Sequence, residues 1–254
     1  MHFKGLVVGL LATYASAAVA EDALLSAVAA KQVKQVRRLL EKGADVRAVD
    51  ELGQTALHLA VANDDAEMID VLVRGGAVVD ARSETFDSTP LADAVLGKKR
   101  RAIEALLRHR PDLDQATKDS TLLFLTVEQG DGAILKMLLA AGMDPTRSAT
   151  HMSATNVNAF MAAAGAGKAD VVKVLLETSI DVNQRDGYGD HCLNWATFFG
   201  RFDVVQTLLD SPRRVELNFV GYQGQTALDM AIAKNHGPTI ELLRQRGAKR
   251  ARDL

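Results

Sequence analysis

Gly53-Gln54-Thr55-Ala56-Leu57-His58-Leu59-Ala60 decides the reading of this chain, because the chain repeats it. Its echoes are Thr89-Pro90-Leu91-Ala92-Asp93-Ala94, Thr121-Leu122-Leu123, Asn158-Ala159-Phe160-Met161-Ala162-Ala163, Cys192-Leu193-Asn194-Trp195-Ala196 and Gly224-Gln225-Thr226-Ala227-Leu228-Asp229-Met230-Ala231. Each is followed, at a nearly constant distance, by an apolar pair: Leu72-Val73, Leu106-Leu107, Leu138-Leu139, Leu175-Leu176, Leu208-Leu209 and Leu242-Leu243, with Leu39-Leu40 standing first. Between the second members of these pairs the steps are 33, 34, 32, 37, 33 and 34 residues. A period in this range predicts a solenoid, in which each unit is stable only because its neighbours cover its apolar faces.

Within a unit one pattern recurs. A turn rich in Gly and Asp, such as Asp186-Gly187-Tyr188-Gly189, precedes a Thr or Asn able to cap a short helix rich in Ala. A polar break such as Gly130-Asp131-Gly132 or Gly200-Arg201-Phe202-Asp203 separates it from a longer helix carrying the apolar pair. In that second helix Val171, Val174 and Leu175 fall on one face. Gly43, Gly76, Gly142 and Gly247 stand where such helices stop.

These units resemble ankyrin repeats. The carriers are Thr55-Ala56-Leu57-His58-Leu59-Ala60, Thr89-Pro90-Leu91 and Thr226-Ala227-Leu228, with the closures Gly43-Ala44-Asp45-Val46, Asp181-Val182-Asn183 and Gly247-Ala248. The likeness covers residues 21–254 and implies an all-α repeat solenoid of stacked helix-turn-helix units, joined by β-hairpin-like fingers around a concave binding face. About seven units are expected, including an N-terminal cap over 21–50 and a C-terminal cap over 221–254. Departures are informative. Arg110-Pro111 replaces the glycine stop of the third unit, and the step of 37 puts about four extra residues into a lengthened finger at Ser148–Asn156. By the resemblance, His58 hydrogen-bonds backbone across neighbouring fingers rather than binding metal.

The first twenty residues read differently. Met1-His2-Phe3-Lys4 is cationic, residues 5–11 are apolar, and Ala18-Val19-Ala20 precedes Glu21-Asp22, the pattern of a secretory signal cleaved after Ala20. Ala15-Ser16-Ala17 offers a competing cleavage site. The apolar run is short for a bilayer core of about 30 Å, so no stable membrane insertion is expected once it is removed. Cys192 is the single cysteine, which excludes an intramolecular disulfide. Export without disulfides points to the periplasm or the cell exterior and to an exported bacterial ankyrin-repeat protein. The net charge of −2 lacks the basic surplus of a nucleic-acid binder.

Chemistry-bearing clusters are sparse. No two histidines share the i, i+4 spacing of a helical zinc site, so neither a metal nor a cofactor is expected. Gly165-Ala166-Gly167-Lys168 lacks the spacing of a phosphate-binding loop. Asp190, His191 and Cys192 are adjacent and leave one enzymatic alternative open, a hydrolase or thiol enzyme. Lys98-Lys99-Arg100-Arg101 falls in the break between two helices, either as a solvated turn or as a patch for an acidic partner or a lipid headgroup.

Aromatic placement is the sharper clue to function. Phe, Trp and Tyr make up 5% of the chain, yet Tyr188, Trp195, Phe198, Phe199, Phe202, Phe219 and Tyr222 crowd into units six and seven. Trp195 takes the register place of Leu59 and is expected in the core. By the resemblance, the finger and first-helix positions of Tyr188, Phe198, Phe199 and Tyr222 face the groove, with Phe86 and Leu96 in comparable places of unit three, where large apolar side chains either meet a partner or repack against the neighbouring unit. His151 and Met152, on the lengthened finger, are secondary contacts. The expected function is a non-enzymatic scaffold that binds another protein through this groove. A dedicated partner that neutralises or protects one exported toxin or enzyme is the alternative within the same class. For the export reading, N-terminal sequencing of the mature protein should begin at Glu21; intact Met1 on a cytosolic protein would contradict it.

Overall fold

The computed structural model describes residues 23–117, 120–151 and 154–254, with the side chains of 148–155 left out of the description. The expected signal and its cleavage site lie outside the described residues, as does Met152. The chain divides into two compact units, Met1–Leu122 and Leu123–Leu254.

In the first unit, three helix pairs follow one another: α1 (residues 23–29) with α2 (Val33–Glu41), α3 (Ala56–Ala62) with α4 (Ala66–Arg74), and α5 (Pro90–Leu96) with α6 (Arg100–Arg108). First helices stack on first helices, α3 on α5, and second helices on second, α2 on α4 and α4 on α6. Leu57, Met68, Ile69, Leu72, Leu91, Ile103 and Leu106 are fully enclosed between them. Thr89 begins α5 from an extended conformation, its hydroxyl accepting from Ala92 N at 3.2 Å, with Pro90 at the first helical position where no N–H is needed.

Polar ties run from each repeat to the next. His58 Nδ1 accepts from Thr55 N at 3.3 Å, so the proton sits on Nε2, which donates to Ser88 O of the next finger at 3.1 Å. This is the cross-finger role that the resemblance implies. Asn63 Nδ2 donates back to Val28 O, and Asp64 caps the following α6 by accepting from Ala102 N at 2.8 Å. Asp70 accepts from Arg108 and from His109, each at 2.8 Å. Burial pushes the Asp70 carboxyl up, but these two hydrogen bonds together outweigh it and leave it below its ordinary value.

The second unit holds four pairs: α7 (Leu122–Gln129) with α8 (Gly132–Ala140), α9 (Ala159–Ala166) with α10 (Ala169–Leu176), α11 (Cys192–Phe198) with α12 (Phe202–Asp210), and α13 (Ala227–Ala233) with α14 (Gly237–Gln245). The stacking rule is the same, α9 on α11 on α13 and α8 on α10 on α12 on α14. The lengthened finger is an antiparallel hairpin of β1 (Ser148–His151) and β2 (Ala154–Asn158), pairing Ser148 with Asn158 and Ala149 with Val157. It absorbs the long step between Leu139 and Leu176. Asn158 closes it and starts α9, accepting from Met161 N at 2.8 Å while its Nδ2 donates to Gln184 at 2.8 Å.

Gly43, Gly76, Gly142 and Gly247 all have φ between +83° and +102°, the left-handed stop expected of them. Arg110 takes that conformation in the third repeat at φ +52°, without the freedom of a glycine. The two members of each apolar pair are not buried alike. Only the first member is in the core in α4, α6, α8, α10 and α12, whereas in α14 it is Leu243, and in α2 neither leucine but Val36 is buried. The pair members left out of the core are half-buried rather than exposed.

Leu175 and Leu208 are fully enclosed. Truncating either to Ala should cost about 2–5 kcal/mol, read as a lower midpoint in denaturant unfolding, and a variant as stable as the parent would contradict the stacking described. A second expectation concerns pH. Asp229 in the last repeat accepts from Arg250 Nε at 2.7 Å, Ala251 N at 2.8 Å and Thr226 N at 3.3 Å. Burial alone would raise its carboxyl, but these bonds prevail and hold it at about 2. A depressed carboxyl stabilises fully above its unfolded value of about 3.9 and stops doing so as pH falls through the folded one. The melting-temperature gap between the parent and Asp229→Asn should therefore be constant above pH about 4 and close as pH approaches about 2. A gap that stays constant over that range would refute this.

Candidate functional site

A cleft of about 540 Å³ opens in the second unit, between the finger ahead of α11, the exposed side of α11 and the finger ahead of α13. It is built from the turn upward. Asp186 N donates to Asp190 O at 2.9 Å, and Asp186 Oδ1 accepts from Tyr188 N and Asp190 N, both at 2.9 Å. This Asx-type turn projects Tyr188 outward, half exposed. The other oxygen, Asp186 Oδ2, accepts from Trp195 Nε1 at 2.9 Å and fixes the indole on the cleft wall. Trp195 is thus half-buried and lines the cleft, not the core position expected for it. An indole is larger than the leucine it replaces and carries an N–H that needs a polar partner, so it turns toward Asp186. Behind it, Gly165 leaves room: a Cβ there would come within 2.7 Å of the ring.

The next finger is drawn in by Asp190. Its Oδ1 accepts from Asn194 Nδ2 and from Tyr222 N, both at 3.0 Å. Gly221 is what allows this approach, since a Cβ on it would lie 2.0 Å from Asp190 Oδ1 and 2.7 Å from Asn194 Nδ2. Tyr222 then meets Tyr188 edge to face with centroids 5.5 Å apart. On the opposite side Phe199 lies 5.9 Å from Trp195 and 5.1 Å from Phe198. Phe198, Phe199, Tyr188 and Tyr222 are 47%, 37%, 52% and 48% exposed, values too large for core residues. Burial, reinforced by the nearby Asp186 charge, pushes the Asp190 carboxyl above its ordinary value, against the hydrogen bonds from Tyr222 and Asn194.

The structure brings Tyr188, Phe198, Phe199 and Tyr222 to one cleft, together with Asp186, Asp190, Asn194 and Trp195, which the reading of motifs did not assign to a binding site. Phe202 and Phe219 do not line the cleft; Phe219 instead stacks on His191 with centroids 4.8 Å apart. Phe86 and Leu96 belong to the first unit, where they are 58% and 43% exposed on the third repeat. His151 ends β1. The basic run does not sit wholly in the break: Lys98 turns the chain at φ +51°, and Arg100 and Arg101 already form the first turn of α6. Cations at that end oppose the helix dipole, so the helix start alone does not account for them.

The Asp190-His191-Cys192 constellation has no catalytic geometry. Cys192 is fully buried, its Sγ donates to Val182 O at 3.1 Å, and burial pushes its thiol above the ordinary value. A nucleophilic cysteine requires the opposite, an accessible thiolate. His191 Nε2 bonds Glu216 O at 3.1 Å, and burial pushes its imidazole below the ordinary value. Buried with it, and without hydrogen-bond partners, are His191 Nδ1, Asn194 Oδ1 and Thr197 Oγ1. Among the described residues no three His, Cys, Asp or Glu side chains converge as metal ligands, and no helix is long and apolar enough to cross a membrane.

A family model for ankyrin repeats (3 copies) matches residues 24–119 and again 123–219. Among curated proteins, the E3 ubiquitin-protein ligase KEG of Arabidopsis thaliana is 28% identical over 212 residues, covering 77% of this chain and 13% of that protein. Palmitoyltransferase ZDHHC17 of Rattus norvegicus is 28% identical over 199 residues, covering 78% of this chain and 31% of its own length. The chain thus spans less than a third of either relative. Among solved structures, the human ASB11 ankyrin repeat domain superposes with a TM-score of 0.68 at 21% identity, covering 89% of this chain and 98% of that one. The ankyrin repeat domain of Bcl-3 gives 0.73 at 24%, covering 87% and 97%. At these identities the structural likeness speaks for the fold alone. With the family model matched on both halves of the chain, and the cross-finger histidine and helix-stop glycines in place, the protein belongs to the ankyrin-repeat family.

Proposed function

We propose that this chain is a non-enzymatic interaction scaffold that binds another protein through the aromatic cleft of its second unit, and that it acts in the periplasm or outside the cell after removal of residues 1–20. The observation that carries the binding reading is the cleft itself: four exposed rings, two on fingers joined by the Tyr222 N to Asp190 hydrogen bond and two at the end of α11, beside an indole fixed by Asp186. Large apolar side chains exposed together and rimmed by polar groups are the mark of an interaction surface, because covering them removes apolar area from water. Rings held in place bind with little torsional entropy left to lose, which is why aromatic residues dominate binding hot spots. The buried, hydrogen-bonded Cys192 supports binding over catalysis. The cationic and apolar start of the chain, followed by Ala18-Val19-Ala20, supports export, and the single cysteine suits an exported bacterial ankyrin-repeat protein without disulfides.

Phe86, Leu96, His151 and Met152 are secondary candidates for the contact surface. The basic run at Lys98–Arg101 would act at longer range, speeding encounter with an acidic region of the partner and losing that effect in salt. The test uses the mature chain as bait on its native extract, followed by the double variant Phe198→Ala, Phe199→Ala. Each ring should contribute about 2 kcal/mol or more to binding, so the double variant should release the captured partner while its thermal melt stays close to the parent's. A large fall in melting temperature would show that these rings support the fold, and retention of the partner would show that it binds elsewhere.

A further inference from the structure

We infer that the aromatic cleft is a receptor for a guanidinium group, taking the side chain of an arginine presented by the partner protein. This inference rests on the binding reading above and adds the chemistry of the ligand. Two features of the cleft point the same way. Its walls carry the rings of Tyr188, Trp195, Phe199 and Tyr222, together with Phe198, over which Lys234 sits, and the face of an aromatic ring attracts a cation placed over it. Its lining also includes Asp190, whose Oδ1 takes the hydrogen bonds of Asn194 Nδ2 and Tyr222 N, whereas among the described residues no donor reaches Oδ2. A carboxylate oxygen without a donor, set among aromatic rings, is complementary to a positive donor and mismatched to an apolar or acidic side chain.

The chain's own cations show that rings in this unit accept such company. Lys234 Nζ lies 4.3 Å from the Phe198 ring centroid, and Arg185 Cζ lies 4.3 Å from that of Phe219. Between the two cations, arginine suits the cleft better. Its planar guanidinium stacks on rings while its edge still donates to a carboxylate, and it is more weakly hydrated than an ammonium. Asp186 adds a second negative charge close behind the indole that it holds.

Trp195 is the single tryptophan of the chain and lines the cleft, so its emission reports occupancy directly. The probe is N-acetyl-arginine amide, compared with the citrulline amide, which has the same shape without the charge, and with the lysine amide. The expected result is a saturable change in Trp195 emission with the arginine compound, in the millimolar range, and binding at least about tenfold weaker for the other two. Asp190→Asn keeps the acceptor for Asn194 and Tyr222, so it should melt like the parent yet lose the preference for arginine over citrulline. The inference is overturned by the absence of a saturable change, by citrulline or lysine binding as well as arginine, or by Asp190→Asn keeping the preference. If the arginine response is absent while Phe198→Ala, Phe199→Ala still releases the captured partner, this inference falls alone. If that double variant keeps its partner, the reading beneath it falls and this inference with it.

Discussion

A helix of seven to nine residues with one apolar face has almost no stability of its own in water, and every α-helix from α1 to α14 is of that length. Such helices persist only where a neighbour covers the apolar face. Here the cover comes from the same helix of the adjacent repeat, α3 against α5 and α10 against α12, so side-by-side stacking is the condition on which all else depends. It explains why the period is kept so closely along the chain. It also explains why the polar ties, from His58 to Ser88 and from Asp64 to Ala102, run between repeats rather than within them.

The same condition creates the candidate site. Stacking sets successive fingers side by side, where a residue of one can donate directly to a carboxylate of the one before, as Tyr222 N does to Asp190. Asp190 and Asp186 hold backbone and indole in place at the cost of keeping two carboxylates near apolar rings, a cost visible in the raised Asp190 carboxyl. Gly221 and Gly165 sit where any side chain would collide with this arrangement. Charge and rings left in this state are matched by a ligand that carries both a flat face and a donor.

The fold was legible because its causes are local and repeated. Thr55, Thr89, Asn158 and Thr226 begin helices, glycines at fixed places end them, and the single long step between Leu139 and Leu176 marked the β1–β2 hairpin. The ring positions could be read because register places Phe198, Phe199, Tyr188 and Tyr222 at finger and first-helix positions, which the resemblance assigns to the groove. What escaped depends on contacts between positions about thirty residues apart. That Asp190 and Asn194 belong to the site follows from the approach of Gly221 and Tyr222, which no pattern within one repeat announces. Register with Leu59 suggests a core place for Trp195, yet Leu59 is itself only half-buried, and the indole N–H, which needs an acceptor, points the same way.

The central claim is that a partner protein is held at the cleft between the fingers around Asp190 and Tyr222. Hydrogen–deuterium exchange of the mature chain, alone and with its captured partner, tests it without any substitution. Backbone amides over residues 186–199 and 221–225 should exchange more slowly in the complex, more so than those of any other finger in the chain. Slowing confined to other repeats, with these two stretches unchanged, would contradict the account.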